Sequence, residues 1–276
     1  MTQRIQVLTR YFFRRLVFSF SGLIYMILAL AFWAVLFPPT QQTPDIAYYV
    51  IVIGAFGAAI SFLSTLSIAS RANEAENYPV IVRLPGRIEY LTAVLVSALL
   101  FTLILQLLVA LLALFRGPVL TTGRFLELPP LWLSVNITFA TLALHATDFV
   151  TAGWSRVNIY GILAILLFGQ SNSAPASNWL AGQMANLSRF FNAHGWPSIA
   201  QYASRAATWF ATRGPDSLRE FFGVVFWPFR AMSEGSLVGR FQPVQALAPA
   251  VLLLYASILF LLAADFFANK DLDFTE

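Results

Sequence analysis

Tyr90-Leu-Thr-Ala-Val-Leu-Val-Ser-Ala-Leu-Leu-Phe-Thr-Leu-Ile-Leu-Gln-Leu-Leu-Val-Ala-Leu-Leu-Ala-Leu-Phe115 is an uncharged run of 26 residues. As a helix rising about 1.5 Å per residue it is about 39 Å long. That exceeds the roughly 30 Å hydrocarbon core of a bilayer. Arg116-Gly117-Pro118 closes it, and a water-soluble domain has no place for a helix so uniformly apolar.

The rest of the chain agrees. Of its 276 residues 58% are hydrophobic and 11% charged, with a mean hydropathy of +0.71. A soluble domain carries about 25% charged residues, so this composition needs lipid to cover it. Leu16 to Phe37 is a first uncharged run, ended by Pro38-Pro39. Ile46 to Ala69 follows Asp45 as the second, and Tyr90 to Phe115 is the third. Leu128 to Thr147 is the fourth, and a fifth, Val157 to Gln170, is short for a crossing. Phe241 to Ala264 is the sixth, closed by Asp265. The fold class is therefore all-α, a polytopic membrane protein with six transmembrane helices. The Leu16 run is longer than the roughly 7–15-residue core of a signal peptide, so a retained helix is expected.

Orientation follows the excess of Lys and Arg on the cytoplasmic side. Arg4, Arg10, Arg14 and Arg15 precede the first span, and Arg71, Arg83 and Arg87 lie between spans two and three. Arg156 lies between spans four and five and Lys270 follows span six, whereas the first external loop has neither residue type. Both termini are then cytoplasmic. Within residues 1–15, Ile5, Val7, Leu8, Tyr11, Phe12 and Phe13 alternate with the arginines. That suits a basic amphipathic helix on the inner leaflet, anchored by Arg4, Arg10, Arg14 and Arg15 beside anionic headgroups. It equally serves as a positive flank of the first span.

Residues 170–240 are more than a linker. Leu180, Met184, Leu187 and Phe191 share one helix face, and Ile199, Tyr202, Ala206, Trp209 and Phe210 share another. Gly195-Trp196-Pro197 separates the two patches, and Gly214-Pro215-Asp216 ends the second. Ser217 and Glu220 have capping-box spacing before Phe221 to Phe229. The segment reads as external or re-entrant: a cap over a cavity, a partner surface or interfacial helices. The chain thus divides into an interfacial stretch (1–15), five spans with a charged loop over 70–89 (16–169), this segment (170–240), and a last span with its tail (241–276).

Catalytic motifs are missing. There is no GxxxxGK[ST] phosphate loop, no HExxH and no Gly-x-Ser-x-Gly, Cys is absent and only two His occur. No metal or cofactor is expected, and no enzymatic activity of the chain itself. The basic balance comes from arginines scattered between apolar runs, which does not fit nucleic-acid binding. His145 and Asp148, three apart on the fourth helix, share a face. They suit a substrate or proton pathway, or a structural hydrogen bond at the helix end.

The most informative polar stretch joins spans two and three. Glu74, Glu76, Arg83, Arg87 and Glu89 could pair there with a soluble protein at the membrane face. With Glu74 and Glu76 followed by Arg83-Leu84-Pro85-Gly86-Arg87-Ile88-Glu89-Tyr90, this loop resembles that of the permease subunits of ABC exporters of the type-2 superfamily. That family often has a small acidic helix, then Leu-x-x-Pro-x-x-Arg-x-Glu-Tyr entering span three. Trp227-Pro228-Phe229, the last span and Phe266-Phe267-Ala268-Asn269-Lys270-Asp271 also resemble the family. The long 170–240 segment and the short fifth span depart from it.

The resemblance implies a non-catalytic permease paired with a second copy or a paralogue in the bacterial inner membrane. It implies cytoplasmic ABC ATPase subunits docked on Glu74 and Glu76, with Arg87 and Glu89 holding the base of that coupling helix to span three. A scaffold subunit of a larger membrane complex uses the same fold without transport. A secondary transporter would want ionisable groups or broken helices near the midplane, and the four longest uncharged runs hold no charge.

Overall fold

A computed structural model describes residues 2–43, 45–115, 117–150, 157, 159–161, 164, 173–239 and 241–269. Among them there are helices and no strands. The chain divides into two compact units, 1–159 with 228–276, and 160–227.

The first unit contains α1 (Thr2–Val17), α2 (Phe20–Leu36), α3 (Ile46–Ala72), α4 (Tyr78–Arg83), α5 (Arg87–Leu114) and α6 (Thr122–His145). Among the described residues four helices are long and apolar enough to cross a membrane: α3, α5, α6 and the last helix with its preceding turn, over Gln245–Asn269. A fifth is added if α1 and α2 count as one broken span, bent by 69°. Most of the run read as the fifth span, Val157 to Gln170, lies outside the described residues.

The first span does not begin at Leu16. α1 continues to Val17, the chain turns at Phe18 and Ser19, and α2 starts at Phe20. Ser19 makes this break inside an apolar run. Its hydroxyl accepts from the Gly22 amide at 3.1 Å and donates to the Leu16 carbonyl at 2.6 Å. Those bonds cap the start of α2. Gly22 is needed there, since a Cβ would lie 2.9 Å from the Val17 carbonyl oxygen.

α3 starts where Asp45 accepts from the Ala47 amide at 2.9 Å. Its buried face mixes larger residues such as Ile53, Phe56 and Ile60 with small ones, Gly57, Ala58, Ser61, Ser64, Thr65 and Ala69. α5 buries Ala93, Ser97, Ala98, Thr102 and Ala110 beside Leu91, Phe101 and Leu105. Leu100, Ile104, Leu107 and Leu111 are exposed along one stripe of α5. Small residues in the contact and an outward apolar stripe suit helices in lipid, where close backbone approach aids packing. The fold fits a membrane-embedded protein.

Neutral side chains fasten the bundle. Ser61 Oγ donates to the Asn136 carbonyl at 2.7 Å, and Tyr49 Oη to the Ala110 carbonyl at 3.2 Å. Gln106 Nε2 donates to the Ile53 carbonyl at 3.1 Å, and Asn136 Nδ2 to Gln106 Oε1 at 2.7 Å. The indole of Trp132 donates to the Val50 carbonyl at 3.1 Å.

The fourth span starts earlier than read. α6 begins at Thr122 and runs through Pro129 and Pro130. Arg124, which precedes the run read as the fourth span, is in its first turn and pairs with Glu127 at 2.8 Å. α6 ends at His145, so Asp148 falls in the turn beyond it and the two are not joined by helix spacing.

The second unit contains α7 (Ser173–Ala193), α8 (Pro197–Thr212) and α9 (Gly214–Val225). Gly195, at φ +75°, and Pro197 make the expected break. Ser217 is no cap: α9 begins three residues earlier at Gly214, and the Ser217 amide bonds back to Arg213. The first unit resumes with α10 (Trp227–Val238) and α11 (Ala248–Asn269). Thr138 of α6 donates to the Leu252 carbonyl and His145 meets the Leu259 carbonyl. Equal offsets mean that α6 and α11 run the same way.

Candidate functional site

The connection from α3 to α5 is a built structure. Asn73 caps α3, a 3-10 turn covers Ala75–Asn77, and α4 follows with Pro79 in its first turn. Pro85 and Gly86 then lead into α5. The segment is tied to the bundle along its length. Asn77 is buried, its Nδ2 donating to the Arg71 carbonyl at 2.8 Å, and Ile81 is 1% exposed in the core. Tyr90 Oη donates to the Ala72 carbonyl at 2.9 Å, so the first turn of α5 holds the last turn of α3. The Tyr90 ring packs edge-on against Phe12 and contacts Phe149 and Phe267.

α1 lies along this platform and buries Thr9, Phe12 and Leu16. Arg15 is the joint. Its Nη2 reaches Glu74 at 2.7 Å and also pairs with Glu76, while Nη1 donates to Tyr11 Oη at 3.2 Å. Burial works against the Arg15 charge. The hydrogen bond to Glu76 and the fields of Tyr11, Glu74 and Glu76 more than offset it, so its pKa is raised. Arg71 secures the α1–α2 corner, donating to the Arg15 carbonyl and to Ser21 Oγ, each at 3.0 Å.

The structure distributes the sequence-derived residues unevenly. Glu74 and Glu76 stand together at the 3-10 turn, where both carboxylates face Arg15. Arg83 is exposed at the end of α4. Arg87 reaches the far end of the chain: its Nη1 donates to the Phe267 and Ala268 carbonyls, both at 3.2 Å, at the C-terminal turn of α11. A cation there meets the negative end of the helix dipole. Glu89 is buried, with Arg4 Nη1 at 3.9 Å. Arg10 and Arg14 are exposed on α1, Arg14 lying over the Phe18 ring. His145 is buried with Nε2 2.8 Å from the Leu259 carbonyl, and Asp148 is exposed.

Sequence reasoning missed the outward face of α4, where Val80 is 41% and Val82 62% exposed beside Arg83. It missed Tyr11, Asn77 and Arg71 as well. The triplet Asn77-Tyr78-Pro79, a polar residue before a proline that starts a helix, was the available signal. In chemical terms the site holds no nucleophile beside a base; it is an exposed apolar and cationic surface on a stiff mount. No protein-family model, curated protein or solved structure matches the chain, so this reading stands on the geometry.

Proposed function

We propose that the chain is the membrane-spanning permease subunit of an ATP-driven ABC exporter, with separate ATPase subunits docking on the α4 platform. The observation that carries this reading is the pairing of an exposed Val80-Val82-Arg83 face with rigid attachment on every side. A partner pressing on α4 would move α3 through Asn77, α5 through Tyr90, and α1 through Arg15. Arg87 extends the reach to α11. Such a mount converts a local push into a rigid-body change of helices. A solvated connector would need none of these bonds.

In this reading ATP hydrolysis belongs to the partner and the permease works as a pair, with a second copy or a paralogue. Six spans place both termini and the α4 platform in the cytoplasm of a bacterial inner membrane, as the Arg distribution favours. Arg10 and Arg14 face the inner leaflet. Glu74 and Glu76 position α1 through Arg15, and the docking contact passes to Val80, Val82 and Arg83.

The test is purification from native membranes of the chain and of its Val82→Glu variant. An ATP-hydrolysing protein should accompany the first and be lost, about tenfold or more, from the second, as expected when a charge enters a docking core. A chain that brings down no ATPase refutes the proposal.

A further inference from the structure

The second unit is arranged inside out for a protein in water. The residues buried along its three helices are Ser173, Ser177, Ala200 and Gly214. Several of its aromatic residues are outside: Trp179 is 64% exposed, Phe190 53%, Tyr202 71% and Trp209 44%, while Phe191 and Phe210 are half-buried. α7 and α8 form an antiparallel hairpin held by hydroxyls, Ser188 Oγ donating to the Ala200 carbonyl at 2.8 Å and Ser177 Oγ to the Phe210 carbonyl at 2.5 Å. Water would drive those rings into the hairpin; small-residue contacts are what helices use when their large side chains meet lipid.

The exposed rings are also sorted to one side. At about 100° per residue, Trp179, Leu187 and Phe190 fall in an arc of roughly 80° on α7. Ile199, Tyr202 and Trp209 fall in a similar arc on α8. Each arc flanks the line of contact between the helices, and because the helices are antiparallel both arcs lie on the same side of the hairpin. The opposite side carries Asn178 and Arg189 from α7, with Ser204 and Thr208 from α8. Asn186 falls about 20° from Trp179, at the edge of the aromatic arc, and accepts there from Arg189 Nη2 at 2.6 Å. Neither helix is long and apolar enough to cross a membrane. Arg205 borders the aromatic arc, where its stem can follow the rings and its head reach a phosphate.

We propose that this aromatic face lies in the headgroup–acyl boundary of the bilayer, with phospholipid as its partner. Trp and Tyr are the residues that favour that depth, and a one-sided apolar surface with a polar back is the form of a monotopic helix. The chain on both sides of the unit leads to helices able to cross a membrane, α6 before it and α11 after it, so lipid is the surface at hand. The inference holds whether or not the chain is a transporter.

The protein has no cysteine, so an introduced one is the sole thiol. Tyr202→Cys and Trp209→Cys probe the aromatic side, and Asn178→Cys and Ser204→Cys the polar side. Each full-length variant is labelled with a polarity-sensitive dye and reconstituted into phosphatidylcholine–phosphatidylglycerol vesicles, part of the lipid carrying a quencher near the glycerol. The expected result is a blue-shifted dye at 202 and 209, quenched by lipid at least about twofold more than at 178 and 204. Equal quenching on both sides overturns the proposal. Dyes at 202 and 209 shielded from both lipid-borne and aqueous quenchers overturn it in favour of cover by this chain, and energy transfer between copies in favour of a second copy. Ile199→Cys repeats the measurement if either aromatic-side variant loses helix content.

Discussion

Replacing Arg15 with Ala should loosen α1 from the α4 platform without unfolding the bundle. Among the described residues Arg15 is the cation that pairs with both Glu74 and Glu76, and its removal takes that compensation from two neighbouring carboxylates. The side chains are 29%, 46% and 59% exposed, so solvent screens each pair. Exposed pairs contribute about 0.2–1 kcal/mol each, and two sharing one guanidinium amount to about 1 kcal/mol. That is roughly a fivefold rise in the detached population of α1, at 1.36 kcal/mol per tenfold. Hydrogen–deuterium exchange in nanodiscs should show it as roughly fivefold faster opening over residues 2–17 and 74–83, with α5 unchanged. Glu74→Gln with Glu76→Gln should do the same, and the triple variant should add little, because the contacts are shared. Salt should narrow the difference between Arg15→Ala and the unchanged chain. Fully additive effects of the Arg15 and Glu substitutions would refute the joint.

Further substitutions at four positions probe the mount and the bundle by unfolding titration in detergent or by exchange. Gly57→Ala drives a Cβ into the Gln106 amide and to 2.7 Å from Asn136 Oδ1, so it should cost about 1–3 kcal/mol. Gly123→Ala, with nothing within 4 Å of the added carbon, should be neutral or stabilising. Tyr90→Phe strands the Ala72 carbonyl and should cost about 1–2 kcal/mol, with faster exchange at the end of α3. Arg87→Ala should fray residues 264–269 of α11, and Arg87→Lys should restore part of the protection because it keeps the charge near the helix end.

The spans α3 and α5 were legible because nothing in Ile46–Ala69 or Tyr90–Phe115 competes with helix in lipid. The break between α1 and α2 was not, since hydropathy sees one apolar run from Leu16 to Phe37 and the turn depends on one hydroxyl, that of Ser19. The start of α6 was hidden by Pro129 and Pro130, which a helix already under way tolerates at the cost of two backbone bonds. At the site, charge marked the segment over 70–89. It could not show that Glu74 and Glu76 face α1, or that Arg87 reaches across about 180 residues of chain to α11, because such pairings exist only after the helices have packed. The apolar face of α4 carries no pattern distinguishing it from the core.

The most direct test of the docking claim is a crosslink from α4 itself. Val82→Cys gives the chain a single thiol on the platform, and Val119→Cys gives one at a still more open position outside it, 90% exposed. A photoreactive probe on each, activated in native membranes, should join an ATP-hydrolysing subunit to Cys at position 82 and not at 119. An adduct containing no ATPase, or the same adducts from both positions, would contradict the account.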